Sequence, residues 1–245
     1  MGGPVEAKQR LIFPLDVSSL KEARRWVRKL KDVVGVFKVG LELFVAEGPP
    51  VLDMIREEAE ADIFLDLKLH DIPATMQKAA RKASLQGVDI LTVHMLAGRQ
   101  AVRKTVEAVE GGCKVFGVTI LTSHTRADLM EIGYSPELSR DLTEAVLRLA
   151  GLAYRAGCHG VVCSGKEVKA VKEAFRHLRT IVPGIRPEWA ADPQDQVRVT
   201  TPYEAILAGA DYLVIGRPIR EASDPVAAAG KILEEMEEAF SAREK

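Results

Sequence analysis

Asp66, Lys68 and Asp71 crowd one short stretch of the chain, residues 63–75, which reads IFLDLKLHDIPAT. It opens as an apolar strand with Ile63, Phe64 and Leu65, after which Asp66 and Lys68 alternate with Leu67 and Leu69. Side chains two apart in a strand point to the same face. The spacing therefore predicts Asp66 and Lys68 on one face and the two leucines on the other. Asp71 follows where the strand gives out, and Ile72-Pro73 begins a helix, proline being tolerated in the first turn. A lysine flanked by carboxylates stays protonated. A preorganised ammonium of this kind can stabilise negative charge that develops beside it. An ordinary ion pair at a solvated strand end would use the same residue types. Here, however, the charges interrupt a core-like strand, where ion pairs are costly unless they serve a purpose.

The chain has 245 residues, 47% hydrophobic and 28% charged, enough for the large core of an α/β barrel in one domain. A formal net charge of −1 provides no basic field for nucleic acid or membrane surfaces, and 5% aromatics argue against base-stacking platforms. No apolar run reaches membrane-spanning length. The opening MGGPVEAKQR lacks the apolar core of a signal peptide. Myristoylation at Gly2 would want Ser or Thr where Glu6 stands. A soluble cytoplasmic protein is expected. Cys113, Cys158 and Cys163 form no CxxC pair and sit among apolar or small residues, so buried free thiols are expected rather than a disulfide framework or metal ligands. The chain contains no asparagine and its helices are rich in Glu, Lys and Arg, which fits a thermophilic source and equally a codon bias.

The elements that must position the charged stretch can be read in order. Apolar strands are predicted over residues 11–15, 33–39, from 63 onward, 88–94, 114–121, 159–163, 179–182 and 211–215. Helices are predicted between them, the first capped by Ser18 or Ser19 with Glu22 at capping-box spacing, others over 50–58, 72–86, 99–109, 137–156 and 166–176. Another starts at Thr201-Pro202 and stops at Gly209, and the last spans about 225–239. Near-continuous Val/Ile/Leu strands alternating with helices indicate a parallel sheet covered by helices. Eight such units point to a TIM (β/α)8 barrel as a single domain over residues 1–245, the barrel spanning about 11–240. An open doubly wound sheet is the competitor, but no GxGxxG follows the first strand.

A TIM barrel puts its chemistry at the strand C-termini, and polar residues collect there: Asp16, Lys38, Asp66, Lys68, Asp71, Thr122, Arg186 and Arg217. Gly216-Arg217 follows strand eight, where such barrels often bind phosphate through backbone N–H groups and a helix start. Gly216 allows close backbone approach, and Arg217 offers two parallel hydrogen bonds. Arg186 and Gln196, on the loop after strand seven, could reach the same place. That loop is long for a barrel turn, as lids often are.

These residues also carry a family resemblance. DLKLHDIPAT, the early FPLD, FKVG, the late PGIRP followed by Asp195-Gln196, and VIGRPI resemble orotidine 5′-monophosphate decarboxylases, in order and over nearly the whole chain. DxKxxDIPxT is the specific element, with Ala74 where the family usually has asparagine. The resemblance implies a cofactor-free and metal-free decarboxylation of orotidine 5′-monophosphate to UMP. Lys38, Asp66, Lys68 and Asp71 would be its catalytic array. It further implies a homodimer with shared active sites, in which Asp71, Ile72 and Thr75 serve the partner. Asp16 and Lys38 would hold ribose hydroxyls, Thr122 the pyrimidine, and Arg186, Gln196, Gly216 and Arg217 the phosphate.

Two rivals stand beside it. Keto-gulonate-phosphate decarboxylases and hexulose-phosphate synthases share the DxKxxD strand but use Mg²⁺, held partly by a glutamate near the end of strand two. Here Lys38 in FKVG would repel the metal. A non-catalytic nucleotide-binding barrel would keep Gly216 and Arg217 but has no need of Lys68 between two carboxylates.

Overall fold

The computed structural model describes residues 7–136, 138, 141–190 and 200–243. Eight parallel strands close on one another in sequence order, each bonded to the next and the last to the first. They are β1 (Leu11–Pro14), β2 (Val36–Val39), β3 (Asp62–Leu69), β4 (Ile90–His94), β5 (Lys114–Val118), β6 (Gly160–Val162), β7 (Arg179–Pro183) and β8 (Tyr212–Val214). The TIM barrel expected from the alternating pattern is the fold.

Period two sorts the strand residues into two cores. Ile12, Val36, Phe64, Ile90, Phe116, Ile181 and Tyr212 point inward and fill the barrel. Their neighbours, among them Phe13, Phe37, Leu65, Leu91, Val115 and Leu213, pack outward against the helices. Burial on both faces is why these strands read as unbroken apolar runs rather than as alternating ones.

Most predicted strands are too long by one to three residues, because apolar residues flanking a strand are also buried without joining the ladder. Three helices fall outside the predicted ranges, Leu41–Glu47, Arg126–Glu131 and the four-residue Arg217–Arg220. The second lies in what read as a plain connection, and Thr125 and Asp128 cap it reciprocally. Other signals hold. Ser19 accepts the Glu22 N–H at the start of Leu20–Leu30. Pro73 takes the first position of Pro73–Leu85 behind an extended Ile72, and Pro225 opens Pro225–Arg243. The three cysteines are free and buried. Burial pushes the Cys158 thiol up to about 12, and burial with Asp89 nearby does the same to Cys113. Neither offers a thiolate at neutral pH.

Candidate active site

One pleat above the apolar plug, the same inward columns turn polar. Val36 is followed two residues on by Lys38, Phe64 by Asp66 and Ile90 by Thr92. Strand periodicity thus delivers three polar side chains from three adjacent strands to the C-terminal mouth of the barrel.

There they form a connected array. Asp66 Oδ2 lies 2.8 Å from Lys68 Nζ and 3.8 Å from Lys38 Nζ. Lys38 Nζ also meets Asp16 Oδ1 at 3.2 Å. The order is Asp16–Lys38–Asp66–Lys68, signs alternating. Side-chain exposure is 13% for both Lys38 and Asp66, against 33% for Lys68 and 52% for Asp16. The array therefore runs from a shielded centre to accessible ends, and Lys68 is the ammonium a ligand in the mouth can reach.

Asp66 and Lys68 do meet, but not by the regular alternation that the sequence suggested. Leu65 pairs with Leu91 and Leu69 with Val93, so β3 spends two more residues than β4 over this interval. Lys68 has φ 49°, the left-handed region, alone among the described non-glycine residues. Such a conformation costs on the order of 1–3 kcal/mol and persists where the surroundings enforce it, often at functional sites. The bulge turns the strand end so that Lys68 folds back onto Asp66.

Two residues that sequence reasoning passed over support the array. Thr92 is fully buried; its Oγ1 accepts the Lys68 backbone N–H at 3.0 Å and donates to Asp66 Oδ1 at 2.8 Å. Its signal was present: it is the one polar residue in the run Ile90–Val93, on the inward parity. Gly40 follows β2, and a Cβ there would stand 3.1 Å from Lys38 Nζ and 3.8 Å from Asp16 Oδ1, crowding their contact.

The remaining candidates lie around the same rim. Asp71, Ile72 and Thr75 are exposed, and Asp71 Oδ1 accepts the Ile72 N–H. Asp71 does not join the ion pairs of its own chain's array among the described residues. Thr122 sits on an exposed turn beyond β5. Arg186 is held at the root of its loop, where its N–H donates to the Thr200 carbonyl at 3.1 Å. Gln196 lies outside the described residues. Arg217 is exposed and begins the short helix Arg217–Arg220, which Arg220 ties to the Asp16 carbonyl at 3.1 Å. A Cβ at Gly216 would come within 2.8 Å of the Pro14 ring, so the glycine allows this turn to press against β1.

At the opposite edge of the array, His70 and His94 stack with ring centroids 5.6 Å apart. Burial, reinforced by His70, His124 and Lys68, holds His94 below the ordinary imidazole range. No helix among the described residues is long and apolar enough to cross a membrane.

Comparison with known proteins bears on this arrangement. The chain is 48% identical over 241 residues to the orotidine 5′-phosphate decarboxylase of Syntrophotalea carbinolica, covering 95% of this chain and 96% of the relative. It is 44% identical over 236 residues to that of Desulfosudis oleivorans, covering 95% of each. Among solved structures, the orotidine 5′-phosphate decarboxylase of Lactobacillus acidophilus superposes with a TM-score of 0.78 at 33% identity, over 92% of this chain and 98% of that one. The model of the orotidine 5′-phosphate decarboxylase / HUMPS family matches residues 9–232. Since that match runs through all eight strands and both rims of the barrel, the chain belongs to the orotidine 5′-phosphate decarboxylase / HUMPS family.

Proposed function

We propose that this protein decarboxylates orotidine 5′-monophosphate to UMP and CO₂, the last step of de novo pyrimidine synthesis, with no cofactor. The observation that carries the reading is one carboxylate, Asp66, serving two ammoniums, Lys38 and Lys68, at the mouth of the barrel. Breaking the bond from the ring to the carboxylate releases CO₂ and leaves the electron pair on a ring carbon with no π-system to accept it. A fixed ammonium beside that carbon is the stabiliser such a step needs, and it works best where water is excluded. Lys68 then gives its proton to the carbon, which completes UMP, and solvent reprotonates the amine. Asp66 Oδ2, 2.8 Å from Nζ, holds the Lys68 side chain in place until that moment. Asp16 and Lys38 hold ribose hydroxyls and Thr122 the pyrimidine. Arg186, Gln196, Gly216 and Arg217 take the phosphate, whose binding energy helps assemble the site.

The family also includes sugar-phosphate enzymes of the Mg²⁺-dependent kind. Lys38 stands against them, because its ammonium occupies the space between Asp16 and Asp66 that a divalent cation would need. We further read the protein as a cytoplasmic homodimer in which Asp71, Ile72 and Thr75 complete the partner's site. Their exposure supports this, as do Ile72 at 66% and Leu96 at 44% exposed, apolar side chains beyond β3 and β4 on the same rim. The test is loss of orotidylate absorbance with purified protein, with and without EDTA. Turnover that survives EDTA is expected. Absence of turnover, or its abolition by EDTA, would refute the reading.

A further inference from the structure

The array has two halves that must agree for the reaction: the Asp66 carboxylate and the Lys68 ammonium it holds. They lie on one strand, two residues apart, and a regular pleat does not join them. Something outside β3 has to fix both the bulged backbone and the carboxylate plane. Thr92 on β4 touches both.

The proton count makes the arrangement directional. A threonine hydroxyl has one proton to donate and lone pairs to accept with. The Lys68 N–H donates to Oγ1 at 3.0 Å, so the hydroxyl's own proton points to Asp66 Oδ1 at 2.8 Å. Asp66 is thereby bound at Oδ1 from the wall, and Oδ2 is left for the two ammoniums. The same hydroxyl satisfies the backbone N–H of the residue at φ 49°, inside the interval where the β3–β4 register slips. Thr92 is fully buried, so water does not substitute for either bond.

From this geometry we infer that Thr92 is a positioning residue for the decarboxylation: its hydroxyl couples the strained Lys68 backbone to the Asp66 carboxylate and thereby aims the Lys68 ammonium. The inference rests on the functional reading above. Thr92 touches no reacting atom; it acts through Asp66 and Lys68. An ammonium displaced by even an ångström loses much of its effect on a charge that exists only in the transition state. Substrate binding, spread over the phosphate and ribose contacts, is far less sensitive.

The test compares Thr92→Val, which keeps the shape and removes the hydroxyl, with Thr92→Ser, which keeps the hydroxyl and removes a methyl. Thr92→Val should lower kcat by roughly 10- to 100-fold, the scale of a lost hydrogen bond to a charged group, with KM within about threefold of wild type. Thr92→Ser should retain kcat within about threefold, although it leaves a methyl-sized gap in a packed wall. A crystal structure of Thr92→Val should find Asp66 and Lys68 no longer in ion-pair contact. A folded Thr92→Val with wild-type kcat and an intact Asp66–Lys68 contact would overturn the proposal. So would a folded Thr92→Ser whose kcat falls by about tenfold or more, and that arm remains decisive if Thr92→Val fails to fold. A wild type without orotidylate turnover would sink the functional reading first and the proposal with it, a pattern distinct from active wild type with indifferent variants.

Discussion

The two ends of the barrel interior are both charged, yet they use their charges differently. One pleat below the apolar plug, period two places Arg10, Asp62, Lys114 and Arg179; one pleat above it lie Lys38, Asp66 and Thr92. At the lower end the charged groups are spent on architecture. Asp89 accepts the Ile63 N–H at 2.8 Å, and Asp211 accepts the Thr180 N–H at 2.8 Å and Lys172 Nζ at 3.0 Å. Arg179 donates to the Tyr212 hydroxyl, and Arg10 lies over the same ring. At the upper end the charges hold one another, around a backbone conformation that no local preference favours. Charge in a barrel interior is thus no mark of function by itself. The mark is charge gathered around a strained backbone, at the end where the strands point.

The sharpest way to break this contrast is Lys68→Ala. If the upper charges exist for chemistry, kcat should fall by about 10⁴-fold or more while the melting temperature stays within a few degrees of wild type. Near-native turnover would end the mechanism proposed above. The same variant sharpens the assignment of Asp71. Lys68→Ala and Asp71→Ala homodimers should each be nearly inactive. After random subunit exchange, about half the dimers are mixed and each has one intact site, so roughly a quarter of wild-type activity should return. If an independent label confirms exchange and no activity returns, Asp71 serves its own chain.

A smaller effect is expected at the exposed side of the upper rim. Arg217→Ala should weaken phosphorylated ligands by roughly 10- to 100-fold, the loss of charge-assisted hydrogen bonds, and leave the unphosphorylated nucleoside nearly unaffected. Titration of both ligands checks this; equal losses would remove Arg217 from the phosphate site.

The lower end should respond in the opposite sense. Asp211→Ala removes the acceptor of the Thr180 N–H and takes the carboxylate from the Lys172 ammonium, which keeps the Leu178 carbonyl. A loss of about 2–3 kcal/mol in unfolding free energy is expected, with kcat unchanged. Denaturant unfolding and steady-state assays together decide it: a kcat loss without a stability loss would make the two ends alike.

How far the contrast was legible in the sequence depends on which interactions are periodic. The apolar runs of the eight strands repeat at every pleat, so the closed barrel followed from them. Asp16, Lys38, Asp66 and Lys68 stood out because each interrupts or ends such a run. Alternation alone gave the right partners for a partly wrong reason, since the two extra residues of β3 over this interval are visible only once β4 fixes the register. Thr92 was missed because one threonine in a β-strand fits ordinary strand preference; what distinguishes it is a pair of bonds to another strand. The helix Leu41–Glu47 was missed because it is short and starts at Gly40 without a side-chain cap.

The smallest effect concerns a histidine at each end. His94 Nδ1 accepts the Leu96 N–H at 3.3 Å above, and His159 Nδ1 accepts the Val115 N–H at 3.3 Å below. Burial holds both below the ordinary imidazole range. His70, His124 and Lys68 add to the effect at His94, and Lys114 and Arg179 add to it at His159. Protonation would turn each Nδ1 from acceptor to donor and set a new cation among existing ones. The sign follows from linkage. As pH falls through the ordinary value near 6.5, the unfolded chain takes up these protons before the folded one does, so stability declines until the lower folded value is passed. Wild type should therefore melt at a lower temperature at about pH 5.5 than at about pH 7.5. His94→Asn keeps a short acceptor for the Leu96 N–H without a titrating ring, and His159→Asn removes the titration below; each should reduce that fall. Because the cause at both ends is the same, burial next to cations, the two reductions should be similar even though the ends serve different purposes. Melting curves at the two pH values check it: if both variants keep the full wild-type decline, these imidazoles are not what couples stability to acid.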